Sequence, residues 1–493
     1  MVIIMKRNPI LLGLLLSLSN AAYASDYFVD DTSTLENTLS TSSCGDNIFL
    51  NDGNYNDVQF TESKSCTDTT ELRVTAVNPG SVNFTGDLDI DINGRYFELS
   101  GINFENGSRS VEGDLITVAG KKNRITNNKF SDFDDKKGAW IKLQGKYNRV
   151  DHNSFSGKQS EGSYINIDIA STEPSYHKVD YNYFTRPLLG SNGGSASRVG
   201  HGSMHDYNAR VIFEYNLFEN EDGESEIVSI KSSENIFRNN TFLNSRGHLS
   251  LRQGKRNVVI DNYFIGSGQT KETGVFVRGE DHIIFNNYFF NMTPTASDQD
   301  YGTVSFGAST TTPDQARAAQ GLNPYHYPKT QNVFLLNNTI VKSKYSSIFI
   351  GSQYNLNDIK DRTTLPGKLY LLNNVIFKAD NSLGEIQTNP DNVFFNNYIA
   401  NITNNNNTVG FDNVAMTLKL RNGIKIPKSS AISDYEEPSN YFSDMEALKS
   451  TWNEYKSVKT RLQNISTPGF DFPTDSSGNI LLPLTKAEVG TNW

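Results

Sequence analysis

The sequence predicts an all-β chain: a single-stranded right-handed parallel β-helix, a solenoid with inserted loops and terminal caps. Three observations carry this. A short motif recurs at intervals with a base of 22–25 residues. Its members are rich in β-branched and aromatic residues, which favour strands. Asparagine keeps a fixed place within it. Each unit is too short for a pair of helices, so a repeat of this length reads as one coil of short strands.

The motif runs through Asn123–Phe130 (NRITNNKF), Asn148–Phe155 (NRVDHNSF), Lys178–Phe184, Val211–Phe218, Asn235–Phe242, Asn257–Phe264 and His282–Phe289 (HIIFNNYF). It then continues less regularly to Asn397. The aligned asparagines are Asn128, Asn153, Asn182, Asn216, Asn240, Asn262, Asn287, Asn338, Asn374 and Asn397, at intervals of 25, 29, 34, 24, 22, 25, 51, 36 and 23. Asn suits the bends because it tolerates the left-handed backbone region. Stacked on its equivalents ~4.8 Å away, its amide can also bond along the axis.

The excess intervals mark insertions. Thr293–Gln331 lies between Asn287 and Asn338, and Ser191–Arg198 (SNGGSASR) lies between Asn182 and Asn216. On a solenoid such insertions build the walls of a binding face. The organisation expected is an export signal over 1–24, a catalytic β-helix over 25–400 and a C-terminal cap over 401–493 packed on the helix. Lys6 and Arg7 precede the apolar run Ile10–Leu18, and Ala22-Tyr23-Ala24 offers a cleavage site, so a secreted or periplasmic protein is expected. Within the C-terminal part, Asp434–Asn464 has helical character and Ile480–Leu484 reads as a last docked strand.

Cys44 and Cys66, the two cysteines of the chain, read as a disulfide stapling the N-terminal end in an exported protein, with two buried thiols as the alternative. A net charge of −10 argues against a nucleic-acid partner. It does not exclude a polyanion, because a cleft can oppose the global sign. A monomer without a membrane partner is expected.

Used as a ruler, the ladder aligns three cations. Lys231 stands 9 residues before Asn240, Arg252 stands 10 before Asn262, and Arg278 stands 9 before Asn287. Stacked like charges repel, so a structural role alone would avoid them, and crowding with burial lowers a lysine pKa toward that of a working base. An unrelated column of surface basic residues is the alternative. Alternation turns Leu249 and Leu251 inward and His248, Ser250 and Arg252 outward. Upstream, Glu224 and Glu226 share a face, and with the amide of Asn192 they form a hard-oxygen set suited to Ca²⁺, or else simply a solvated acidic loop. Lys231 has the opposite parity to both glutamates, so the chain must bend between them, with Ser232–Asn235 one plausible place. The chemistry this set fits is removal of the proton beside a uronate carboxylate, followed by β-elimination of the 4-linked sugar.

These residues resemble polysaccharide lyase family 6, the alginate lyases and chondroitinase B. The resemblance rests on Asn192-Gly193-Gly194 with Arg198, Glu224-x-Glu226, Lys231-Ser232, Leu249–Gly254 (LSLRQG) and Asn262–Gly266. It implies a lyase acting on an acidic polysaccharide, alginate before dermatan sulfate. Lys231 is its base, Arg252 its acid or charge stabiliser, Arg198 and Arg278 its substrate-binding residues, and Asn192, Glu224 and Glu226 its Ca²⁺ ligands. Ser195 stands where an acidic residue often follows the two glycines, and Gln253 stands where histidine often follows the arginine. His201, His205, Tyr325 and His326 lie in inserted loops beside the expected cleft. A binding module without catalysis, a hydrolase and a C5-epimerase are the competing uses of the same scaffold.

Overall fold

The computed structural model describes residues 24–107, 112–133, 137–169, 172–190, 193–295, 302–310, 327–355, 362–404, 408–432, 441 and 445–493. Three parallel sheets of 14, 12 and 14 strands wrap around one core, each strand pairing with its equivalent in the coils before and after. This is the right-handed parallel β-helix that the repeat predicts. One antiparallel pair, Thr417–Arg421 with Ile424–Lys428, breaks the pattern. No described helix is long and apolar enough to cross a membrane.

The asparagine ladder is continuous and buried. From Asn128 to Asn374, each backbone N–H donates to the Oδ1 of the next ladder asparagine at 2.9–3.1 Å. Each side-chain amide also reaches back. Asn262 Nδ2 donates to Phe237 O in the preceding coil, to Ile260 O in its own and to Asn287 Oδ1 in the next. The left-handed backbone is not at the ladder asparagine. It is one residue earlier, at Asn127, His152, Tyr181, Tyr215, Asn239, Asp261, Asn286, Asn337, Asn373 and Asn396, with φ between 51° and 59°. The ladder asparagine bonds along the axis while its neighbour makes the corner.

A second ladder runs at the preceding corner. Asn123 donates to Asn148, Asn148 to His177, Asn235 to Asn257 and Asn257 to His282, each through its backbone N–H. The histidines accept at Nδ1, and burial lowers both to about 4, which keeps that nitrogen unprotonated. Between the corners, Phe130, Phe155, Phe184, Phe218, Phe242, Phe264 and Phe289 form one inward column with centroids 4.6–5.1 Å apart.

The ends are treated differently. Helix Thr32–Thr41, started by a capping box at Asp31, presses Leu35 and Leu39 onto the first coils. Cys44 and Cys66 form a disulfide. Beyond the coils, helix Glu454–Asn464 buries Tyr455, Val458 and Leu462 on the outer face of one 14-stranded sheet. The chain then returns along the outside of the helix. Gly469 N–H donates to Asn373 O, Asp471 N–H to Asn286 Oδ1, Gly490 N–H to Tyr181 O and Asn492 N–H to Asn127 Oδ1. Ile480–Leu484 forms no strand; Ile480 has a single bridge to Thr474.

The ladder gives a direct test. Asn262→Ala strips the Asn240 N–H of its acceptor and leaves buried carbonyls unpaired, so it should cost about 2–4 kcal/mol. We expect a lower melting temperature with an unchanged far-UV circular dichroism spectrum. An unaltered melting temperature would mean that the ladder carries no weight.

Candidate active site

The site lies on the outer face of the 12-stranded sheet, where Ser197–Val199, Glu226–Lys231, Gly247–Gln253 and Glu272–Val277 are neighbours. Val199, Ile230, Leu251 and Val277 pair in register and face the core. Arg198, Ser229 and Ser250 form the adjacent outward column.

Two bulges set the aim of the charged side chains. Glu226 pairs with His248 but Val228 with Leu249, so Ile227 is an extra residue. That insertion resolves the parity conflict: Glu226, Ser229 and Lys231 all face outward on one strand without a bend. A second irregularity pairs Ile230 with Leu251 but Lys231 with Gln253, making Arg252 the extra residue. Lys231 is therefore not stacked in register under Arg252, as the ruler predicted. The bulge offsets the two cations, and bulges re-aim side chains in this way.

Five of the expected residues converge. Arg198, Glu224, Glu226, Lys231 and Arg252 line one cleft of about 440 Å³. Lys137 and Glu161, an ion pair at 3.2 Å, form a wall that the sequence did not reveal. Glu226 is tightly held: Oε1 accepts from Arg252 Nη1 at 2.8 Å and from Ser250 Oγ at 3.3 Å, and Oε2 accepts from Ser229 Oγ at 2.6 Å. Glu224 Oε2 accepts from Gly193 N–H at 2.7 Å. A Cβ on Gly194 would lie 2.5 Å from the Gly223 carbonyl, so the backbones meet too closely for any side chain there. Ser195 Oγ, in place of a carboxylate, bonds to Ser163 Oγ instead.

Arg278 follows one coil later but is buried, its Nε on Ala308 O and its Nη2 on Gln353 Oε1, with the guanidinium 4.1 Å from the Tyr327 ring. Asn192, Tyr325 and His326 lie outside the described residues. His205 lines a separate cavity with Lys255 and Tyr327.

The electrostatics divide the groups into roles. Burial, then Arg252, brings the Lys231 ammonium down to about 8, with Arg198 adding to this and the Glu226 and Glu224 charges opposing it. Burial works to raise Glu226, but Arg252 and Lys231 hold it at about 2. Glu224 is raised by burial and by its charged neighbour Glu226, with the Gly193 N–H opposing. A buried carboxylate crowded by a second one is a site that a divalent cation relieves, and both groups are hard oxygen donors. The pair fits Ca²⁺ in that sense. Among the described residues no cluster of three or more Asp, Glu, His or Cys is present.

The comparisons with known proteins follow the same line. The family model for chondroitinase B matches residues 29–450. No curated protein matches the sequence. Among solved structures, the PL6 family alginate lyase AlyGC superposes with a TM-score of 0.77 at 24% identity, over 95% of this chain and 58% of that one. This chain thus spans little more than half of AlyGC. A PL6 family polysaccharide lyase, Pedsa3628 from Pseudopedobacter saltans, gives 0.70 at 20% identity over 95% and 99%. A mannuronic acid specific family 6 lyase from human gut microbiota gives 0.67 at 22% over 89% and 98%.

The lowered Lys231 pKa implies a stability penalty whose sign is fixed. The unfolded lysine keeps its proton up to 10.5 while the folded one releases it near 8. Folding is therefore disfavoured below pH 8, and the penalty fades as pH rises from 8 to 10.5. Lys231→Met should raise stability at pH 7 by on the order of 2 kcal/mol, and the gain should vanish above pH 10.5. Thermal melts at both pH values check it.

Proposed function

The chain belongs to the chondroitinase B family, polysaccharide lyase family 6, and from that membership and the site geometry we propose that it cleaves a 4-linked uronate polymer, alginate first, by β-elimination. The observation that carries the reading is Lys231: an amine held near 8, flanked by two arginines in an open cleft. The solved relatives described as alginate lyases support alginate, and the name of the matching family supports a dermatan-type polymer as the second substrate.

In this reading the sugar lies across the cleft with its C5–H toward Lys231. The neutral amine takes the proton, and the rate gain expected from such a positioned base is ~10²–10⁴-fold. Negative charge spreads onto the uronate carboxylate as the proton leaves. Arg252, oriented by Glu226, stabilises that charge with a guanidinium that Glu226 raises above its ordinary value. Arg198, one coil earlier on the same face, anchors a neighbouring carboxylate, and Arg278 supports the next coil. Glu224 and Glu226, with Asn192, would hold Ca²⁺, which supplies neutralisation of the substrate carboxylate when bound. The apolar leader and the Cys44–Cys66 disulfide support export, and we read the working form as a monomer.

Digestion of alginate should produce unsaturated uronate ends, detected by their ultraviolet absorbance. Lys231→Ala should lower kcat by ~10²–10⁴-fold, and wild-type kcat/KM should climb with pH and level off above about 8 as Lys231 loses its proton. A chelator should lower the melting temperature, and added Ca²⁺ should restore it. Silence of the wild type on alginate and on dermatan sulfate alike would refute the lyase reading.

A further inference from the structure

The corner that follows the strands of the 12-stranded sheet repeats a short sequence. Gly94-Arg95-Tyr96, Gly120-Lys121-Lys122 and Gly145-Lys146-Tyr147 occupy it in three successive coils, and Gly254-Lys255-Arg256 occupies it again beyond the cleft. The coils meet tightly here: a Cβ on Gly120 would collide with Gly94 O, and one on Gly145 with Gly120 O. Lys121 N–H donates to Gly94 O at 3.0 Å and Lys146 N–H to Gly120 O at 3.2 Å. Arg95 bridges to Lys121, and Lys121 to Lys146. Three cations therefore stand on consecutive rungs, ~4.8 Å apart. The same column continues through Ser175, Ala209 and Ser233 to Lys255.

The two ends of the column differ in one respect. Lys255 is paired, with Glu280 at 2.8 Å and Asp206 at 3.4 Å. In the adjoining column Glu234 sits between Arg210 and Arg256. There the fold answers each stacked cation with a carboxylate. Among the described residues, Arg95, Lys121 and Lys146 form no ion pair. Lys122 bonds at 2.6 Å to the Tyr96 hydroxyl, a neutral partner, and Asp68 acts on it only through its field. Stacked like charges are destabilising. This stack is left unanswered in a chain of net charge −10, which has carboxylates to spare. Arg95, Lys121 and Lys122 are exposed and Lys146 is half-buried. Tyr147, stacked on Tyr176, keeps 50% of its surface open, and the C-terminal cap covers this corner only from Tyr176 onward, through Trp452.

We infer that Arg95, Lys121, Lys122 and Lys146 form an accessory site that holds a linear polyuronate outside the cleft, its carboxylates paired with the rungs. Such a polymer carries one carboxylate per sugar, so its charges recur on a length comparable to one rung. The column also leads to the site of chemistry. Ser233, two residues beyond Lys231, belongs to it, and lies three rungs, ~14 Å, beyond Lys146. A long chain threaded along the column thus reaches the edge of the cleft while still held by the stripe, and two linked contacts bind it more tightly than either alone. The choice of a uronate polymer as the polyanion rests on the lyase reading.

The test reverses two rungs, Lys121→Glu with Lys146→Glu, and reads binding apart from turnover. Binding is the retardation in gels containing alginate, relative to gels without polymer, with Lys231→Ala in both proteins so that the matrix stays intact. Reversal should weaken retardation by ~10-fold or more, and added salt should weaken that of the unreversed protein. With Lys231 restored, KM on long alginate should rise by ~10-fold at unchanged kcat. Kinetics on a trisaccharide, too short to fill the cleft and reach Lys146 together, should not change. Lys121→Gln with Lys146→Gln should fall between the two, separating lost attraction from added repulsion. Equal retardation of the two proteins, or an equal change in KM on polymer and trisaccharide, would overturn the site. Stronger retardation by DNA than by alginate would also overturn it. A wild type that is retarded through these rungs yet cleaves no uronate polymer would refute the lyase reading and leave the accessory site standing.

Discussion

Within the stack, each coil is bonded to the coils beside it, and the buried asparagine ladder fixes how they meet. Backbone hydrogen bonds space the coils, while the side-chain amides lock the phase of each corner against the next. With the phase locked, inward and outward positions repeat from coil to coil. The stacked phenylalanines can then fill the core, and residues far apart in sequence can be aligned on the outer face. Arg198, Glu226, Lys231 and Arg252 meet across three neighbouring strands for that reason.

Much of this was legible in the sequence because the repeat is a physical ruler. The asparagine spacing gave the coil length, and counting back from it put Lys231 and Arg252 on neighbouring rungs. What the ruler could not register was any local change in residue count. Ile227 and Arg252 are bulges, invisible to a periodic pattern, and they turn an apparent parity conflict into a shared face. The second ladder was hidden because histidine replaces asparagine at His177 and His282, doing the same work through a ring nitrogen. Tyr327 carries no local signal: its ring meets Arg252 and Arg278 only through the fold.

The site works against the stability of its host. Lys231 is held in a buried, cation-rich place where its charge is disfavoured, and Glu224 stands beside another carboxylate. Glu226 offsets part of this by pairing with Arg252 and accepting two serine hydroxyls. The two serines occupy outward positions where a larger side chain would fill the cleft, so they keep it open and fix its carboxylate. The rigid coils beneath supply what such a strained arrangement requires, since a stacked sheet has few ways to relax.

A stack of nearest-neighbour units tends to fray from its ends, because removing a terminal coil exposes only one interface. The returning C-terminal chain changes that arithmetic. It draws on the left-handed corners of coils as distant as Asn373 and Asn127, and it ends with Trp493 packed on Gly80. Bonds spanning up to 366 residues tie the first part of the stack to the segment that ends at Trp493. Loosening any one coil then disturbs contacts belonging to several, so the array gains the cooperativity of a globular protein. The same tie can close only once the residues through Trp493 are in place, which puts this gain in cohesion late in folding.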